Sequence, residues 1–354
     1  MKKNLLIAAG GSGGHMLPAL VFHDHLKKNF NISISSDLRG LKYINCKKYN
    51  LITVKTPQIF KNKILLPTKI IIILWLTIKS IFLIKNKKID LIISMGGYAP
   101  TPLCLAGFLL NKKLYLYEPN LVIGNANKFF LLVCKKIFCH SKNLKKFPNK
   151  YKKKICEISP IVRKMFYHNK IKKNKKFIIM IVGGSQGAKL FDNLFHKIFF
   201  KLSKKINLRI IHQTKLSNIK FLKNFYSKNN ISNKVFNFDK SFYQLIRKCN
   251  FCITRAGAST LAELFILKIP FLAIPLMNSK DNHQYENAKY YQAKKSAWIL
   301  DEKKINQNNL YAILKKIIFK KTFYEKRKKK LIKLNANIDW NTQNKIMISA
   351  LNEN

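Results

Sequence analysis

Acidic residues are scarce: the 354-residue chain has 15 Asp and Glu against 68 Lys and Arg, a formal charge of +53. Such an excess draws anionic partners, whether nucleic acid, phosphorylated substrates or an anionic membrane. The lysines are spread along the whole chain as a compositional bias rather than as one stripe, which argues against nucleic acid and leaves a basic membrane-facing surface as the favoured use of the charge. Cysteines are few and odd in number, seven, and share no ligand spacing with the histidines. That argues against a disulfide framework or a metal cluster and for reduced thiols in a cytosolic protein. Cys249-Asn250-Phe251-Cys252 has only the lettering of a redox pair, because it runs straight into an apolar strand.

Unbroken apolar runs are short. The N-terminal Leu5-Leu6-Ile7-Ala8-Ala9 meets glycines at once, too soon for a signal peptide, and reads as a first strand. From Ile64 to Ile84 the chain is strongly apolar, but Lys69 and Lys79 leave nine residues between them, where a span needs about 20. With Trp75, Lys69, Lys79 and Lys85, this segment suits a helix lying in a bilayer interface; the alternative is a helix buried on a sheet. Two nucleotide-binding signatures are also missing. The first glycine turn lacks the Gly-Lys-Ser/Thr ending of a phosphate loop and misses the Gly-x-Gly-x-x-Gly register, and Asp37 gives only weak support for a ribose contact. ATP hydrolysis and dinucleotide redox chemistry are therefore disfavoured.

Two glycine turns are present, Gly10-Gly11-Ser12-Gly13-Gly14-His15 and Gly183-Gly184-Ser185-Gln186-Gly187, each after an apolar run and about half a chain apart. The length predicts two domains. Asn4–Ala9, Ile32–Ser35, Leu91–Ser94 and Leu114–Tyr117 read as parallel strands of the first, and Phe177–Val182, Leu208–His212, Phe251–Thr254 and Pro270–Ile274 as strands of the second. Lys142–Lys154 and His168–Lys176 read as polar stretches between the halves, with a linker near 160–175. A helix is expected from Gly14-His15 to about Lys28, with Pro18 in its first turn.

Backbone N–H groups of a glycine turn at a helix N-terminus bind anions without a cation. His15, at such a helix start, is placed to stay neutral and act as general base, or simply to cap or pack. Ser185 and Gln186 suit a pyrophosphate and its sugar. Arg255-Ala256-Gly257-Ala258-Ser259-Thr260 is a third small-residue turn, and Glu263, one helical turn on, could accept two ribose hydroxyls or cap its helix. Asp281-Asn282-His283-Gln284 offers dense hydrogen-bonding groups for a sugar, although an exposed helix start accounts for it too.

These turns, with Met95-Gly96-Gly97-Tyr98, Glu118 with Asn120, and Asn287-Ala288, together resemble glycosyltransferase family 28, and within it the N-acetylglucosaminyltransferases of peptidoglycan synthesis. The resemblance runs from Asn4 to about residue 345 with the motifs in order. It implies an α/β GT-B fold, two Rossmann-like domains facing a cleft. Residues 1–162 would form an acceptor-binding and membrane-associating domain and 163–340 a donor domain, with a helix at 341–354 that could pack back on the first. The implied reaction is inverting transfer of N-acetylglucosamine from UDP-N-acetylglucosamine to the muramoyl 4-hydroxyl of lipid I, at the cytoplasmic face of a bacterial inner membrane. It needs neither metal nor cofactor, in keeping with the few carboxylates. By position, Ser12, His15, Tyr98 and Asn120 would meet the acceptor, and His15, Glu118 and Asn120 would line the reacting centre. Ser12, Gly13, Gly14, Asn120, Arg163, Ser185, Gln186, Ala258, Glu263, His283 and Gln284 would contact the donor. Two departures stand out: the family's His-Glu-Gln-Asn is Tyr117-Glu118-Pro119-Asn120, and Gly-Asn-Pro before Val-Arg is Ser159-Pro160-Ile161.

Overall fold

The computed structural model describes residues 2–41, 43–44, 48–56, 66–167, 176–183, 189–239 and 241–353. The chain forms two units, 1–164 with 338–354, and 165–337. The division falls two residues later than the sequence suggests and leaves Arg163 in the first unit, after the buried Ile161 and Val162. Of the expected linker, 168–175 lies outside the described residues.

In the first unit β1 (Asn4–Ala8), α1 (Gly13–Leu26), β2 (Asn31–Ser36), α2 (Leu38–Leu41), β3 (Leu51–Thr53) and α3 (Leu66–Asn86) come first. They are followed by β4 (Leu91–Ser94), α4 (Thr101–Leu109), β5 (Lys113–Glu118), α5 (Asn125–Phe130), β6 (Lys136–Cys139) and β7 (Ile155–Glu157). The strands make one parallel sheet in the order β3-β2-β1-β4-β5-β6-β7. Its central strands are buried on both faces, which is why they read as continuous apolar runs. Strand order reverses between β1 and β4, so the loops after these two strands open at a topological switch point.

The second unit runs β8 (Phe177–Val182), α6 (Lys189–Ser203), β9 (Leu208–Gln213), α7 (Leu216–Lys228), β10 (Ser232–Phe236), α8 (Phe242–Ile246) and β11 (Phe251–Thr254). It continues with α9 (Ala258–Ile266), β12 (Phe271–Ala273), α10 (His283–Ala293), β13 (Ala297–Ile299), α11 (Gln307–Phe319) and α12 (Lys321–Leu334). Its sheet is parallel, in the order β10-β9-β8-β11-β12-β13, with the reversal between β8 and β11. On α6, Phe191, Phe195, Ile198, Phe199 and Leu202 recur at helical spacing and form a core with Ile179, Ile181, Ile210 and Leu222. The same helix buries a carboxylate. Asp192 accepts from Thr214 Oγ1 and Asn218 Nδ2, each at 2.7 Å, and lies 3.2 Å from His212 Nε2, whose Nδ1 is 3.0 Å from the Tyr226 hydroxyl. Burial holds His212 below its ordinary pKa, so the ring is neutral and its Nδ1 accepts the Tyr226 proton. Cys249 and Cys252 are buried and their thiols are pushed up by burial, leaving them protonated and unreactive.

The last helix, α13 (Trp340–Asn352), belongs to the first unit. Asp339 caps it through the Asn341 and Thr342 N–H groups at 2.8 and 3.0 Å. Trp340 stacks on His25 of α1, with ring centroids 3.4 Å apart, and Asn344 bonds the same imidazole, which burial lowers to a pKa of about 4. Gln343 Oε1 accepts from Ser159 N at 2.8 Å, and Tyr115 donates to the Leu351 carbonyl at 3.3 Å.

Several expectations need correction. Pro18 is the sixth residue of α1, in its second turn; it removes the N–H that would bond the Gly14 carbonyl, and the helix continues through it. Lys142–Lys154 is part of the first unit, where Lys154 Nζ donates to the carbonyls of Leu131, Leu132 and Cys134 at 2.7, 2.9 and 2.7 Å. Strands β3, β6, β7, β10 and β13 were not anticipated.

α3 is long and apolar enough over Pro67–Asn86 to cross a membrane by length and composition alone. One stripe, Ile73, Leu76, Thr77, Ser80 and Ile84, is buried, and the helix packs on α4. Thr77 and Ser80 return their hydroxyl protons to the Ile73 and Leu76 carbonyls, so the stripe leaves neither hydroxyl unpaired. The other face leaves Ile70, Ile71, Leu74, Trp75, Ile78 and Phe82 exposed, with Lys79 Nζ 3.5 Å over the Trp75 ring. Such a contiguous apolar face marks an interaction site.

Candidate functional site

In the first unit the loop after β1 is held by Asp37, one residue beyond β2. Its Oδ1 accepts from the N–H groups of Gly11 at 2.8 Å and Gly40 at 2.9 Å, and its Oδ2 from Arg39 Nε at 3.0 Å. Burial pushes this carboxyl up, but the Gly11, Arg39 and Gly40 bonds outweigh it and hold the pKa below the ordinary value. Asp37 is thus committed to bracing the loop, and the weak hint of a ribose contact is withdrawn. Gly11 has φ +83°, a conformation that makes glycine the fitting residue here. Ser12 is the N-cap of α1 but makes no side-chain capping bond. Helix geometry leaves the N–H groups of Gly13 and Gly14, in the first turn, without intrahelical acceptors.

His15 is third in α1, and its Nδ1 lies 2.8 Å from the Met95 carbonyl in the loop after β4. A carbonyl only accepts, so Nδ1 carries the proton and Nε2 is the basic nitrogen. That nitrogen faces Gly97, where a Cβ would come within 3.0 Å of it. The pKa is lowered, by burial first, against the opposing Met95 bond and the charges of Glu118 and Asp37. The sequence reading credited the helix dipole; loss of water is the cause the structure supplies.

Glu118, at the end of β5, is 3% exposed and fully engaged. Its Oε1 accepts from Asn120 N and Nδ2, both at 3.1 Å, and its Oε2 from Gly124 N at 2.8 Å and Asn127 Nδ2 at 3.0 Å. The carboxylate shapes the turn that presents Asn120. Tyr117 points the other way, into the core against Phe22, with its hydroxyl 3.4 Å from His140 Nε2. The departure from the family's His at 117 is therefore a core substitution. Tyr98 is contacted by Arg39, whose guanidinium carbon lies 5.3 Å from the ring centroid.

In the second unit, Ser185 and Gln186 lie outside the described residues. The neighbouring turn after β11 is described. Ala258 opens α9 behind Gly257, which has no side chain to cap the helix, and Glu263 follows on the same helix. Arg255 braces this turn through Glu302 at 2.7 Å and the Ile274 carbonyl at 3.2 Å. Asn287 Nδ2 donates to the Ala256 carbonyl at 3.2 Å, tying α10 to it. Gln284, expected to read a sugar, spends its Oε1 on the Leu276 N–H at 2.9 Å and closes its own loop, while His283 begins α10. The backbone is left-handed at Asp281 (φ 55°) and Asn282 (φ 57°), residue types that tolerate it. Sequence reasoning missed Arg39 and Glu302 and did not see the bracing role of Asp37, because these depend on contacts remote in sequence or on a short turn without a pattern.

Two doubly wound units, each with its loops gathered at a switch point, define a two-unit α/β protein whose ligand sites are expected outside the carboxyl ends of its strands. The Glycosyltransferase family 28 N-terminal domain matches residues 5–139 and the Glycosyltransferase family 28 C-terminal domain residues 178–340. The chain belongs to glycosyltransferase family 28. It is 45% identical, over the full length of both chains, to the UDP-N-acetylglucosamine--N-acetylmuramyl-(pentapeptide) pyrophosphoryl-undecaprenol N-acetylglucosamine transferase of Pelagibacter ubique. The protein of that name in Rickettsia felis is 34% identical over 87% of this chain and 89% of its own. Among solved structures, Acinetobacter baumannii MurG matches all of both chains with a TM-score of 0.79 at 21% identity, a likeness of GT-B fold.

Proposed function

We propose that the protein transfers N-acetylglucosamine from UDP-N-acetylglucosamine to the muramoyl 4-hydroxyl of lipid I, with inversion and without a metal, giving lipid II. The observation that carries the reading is His15: a neutral imidazole locked by Met95, with its basic Nε2 turned toward the glycine loops. The acceptor oxygen attacks the sugar C1, its proton passes to Nε2, and the C1–O bond to UDP breaks with its electron pair leaving on the diphosphate. The N-terminus of α9 at Ala258 suits that negative charge, and Glu263 suits the ribose hydroxyls. Ser185, Gln186, His283 and Arg163 complete the donor set, and Ser12, Tyr98 and Asn120 the acceptor set. Glu118 and Gln284 serve by positioning.

Purified protein should move radiolabelled N-acetylglucosamine from UDP to a lipid I analogue with EDTA present, giving a β-1,4 product. Donor binding without that product would reject the acceptor, and no donor binding would reject the transferase.

A polyprenyl diphosphate leaves a bilayer only at about 0.8 kcal/mol per CH₂ exposed, so the enzyme goes to the membrane. The open face of α3, with its lysines, suits peripheral contact with an anionic cytoplasmic leaflet. Ile71→Glu with Phe82→Glu should cut co-sedimentation with anionic vesicles by more than about tenfold, since each lost apolar contact is worth about 1.5–3 kcal/mol. Turnover of a water-soluble acceptor should not change. Undiminished sedimentation would place the contact elsewhere.

A further inference from the structure

Six of the 68 Lys and Arg residues are arginines, at 39, 163, 209, 247, 255 and 327. In a chain so given to lysine, arginine stands out where a planar fork of donors does what an ammonium cannot. Arg255 joins Glu302, Arg327 lies over Trp298 and Phe323, and Arg247 lies over Tyr243. Arg39 differs in where it is held. Asp37 fixes its Nε and Nη2 from below and is 6% exposed, whereas 42% of the Arg39 side chain remains open to solvent. Nη2 also reaches the Tyr98 hydroxyl and lies 3.5 Å from the point above Gly11 where a Cβ would stand. The fork therefore stands at the rim of the glycine loop, oriented by a carboxylate that the same loop holds through the Gly11 N–H.

Amide donors alone place no full positive charge against a diphosphate. We infer that Arg39 is the side-chain cation that grips the diphosphate of the lipid-linked acceptor over the Gly10–Gly14 loop, with Asp37 setting its direction. The inference rests on the acceptor reading of the first unit. Its reach is specific: Arg39 serves the acceptor and not the donor, and a lysine there keeps the charge but loses the fork.

Calorimetry on the full chain with a short-chain polyprenyl diphosphate tests it. Arg39→Ala should weaken binding by about tenfold or more, Arg39→Lys by less, and the salt dependence of log K should flatten by about one unit in the alanine variant. UDP-N-acetylglucosamine affinity should stay at the wild-type value in both, which also reports that the second unit is folded. Acceptor KM should rise by the same factor with kcat little changed. Undiminished diphosphate binding by Arg39→Ala, or a loss reproduced in full by Tyr98→Phe and absent from both arginine variants, would overturn the inference. A wild-type protein that binds the diphosphate through Arg39 yet transfers no sugar would remove the transferase reading and leave the grip in place.

Discussion

Replacing His15 with alanine should lower kcat by about 10²–10⁴-fold, the usual contribution of a positioned general base, while donor KM stays near its wild-type value. The geometry supports this size of effect because the Met95 carbonyl fixes the tautomer and no other described contact of Nε2 is a hydrogen bond. The pH dependence follows from the same contacts. The active form is the neutral ring, and its pKa lies below the ordinary 6.5, lowered chiefly by burial. Wild-type kcat should therefore fall as the medium becomes acidic through a midpoint below 6.5, and the alanine variant should lack that limb. Steady-state kinetics across mildly acidic and neutral pH checks both; wild-type turnover in His15→Ala would assign proton removal to another group.

The second large effect is on stability. Asp192→Ala would strand two buried or half-buried donors, on Thr214 and Asn218, at the start of the helix that follows β8. Each donor left unsatisfied costs about 1–3 kcal/mol, so a loss of about 2–6 kcal/mol is expected, lowering Tm by about 5 °C or more. Asp192→Asn keeps the shape and part of the bonding and should lose less. Scanning calorimetry with UDP-N-acetylglucosamine absent decides it, and a Tm within about 2 °C of wild type in Asp192→Ala would show that water replaces the carboxylate.

What the sequence made legible follows from burial. Strands β1, β4, β8 and β11 lie at the centre of their sheets, so both faces select apolar residues and the runs Leu5–Ala8 and Phe251–Thr254 stand out. Edge and near-edge strands such as Leu51–Thr53, Ile155–Glu157 and Ser232–Phe236 are short or polar, because sheet pairing rather than burial fixes them. The same contrast holds in the site. Glycine turns and His15 announce themselves by residue type and spacing, whereas the role of Glu118 depends on four donors folded around it, and that of Asp37 on a loop 26 residues away.

The return of α13 to the first unit has a consequence for how the protein is made. A nascent chain presents all seven strands of the first sheet long before residues 338–353 leave the ribosome, so the seat for Trp340 on His25 stays open throughout synthesis of the second unit. Folding order therefore cannot simply follow the order of translation: the part begun first is finished last, and a premature stop between α12 and α13 yields a protein with a complete second unit and an unsealed first one.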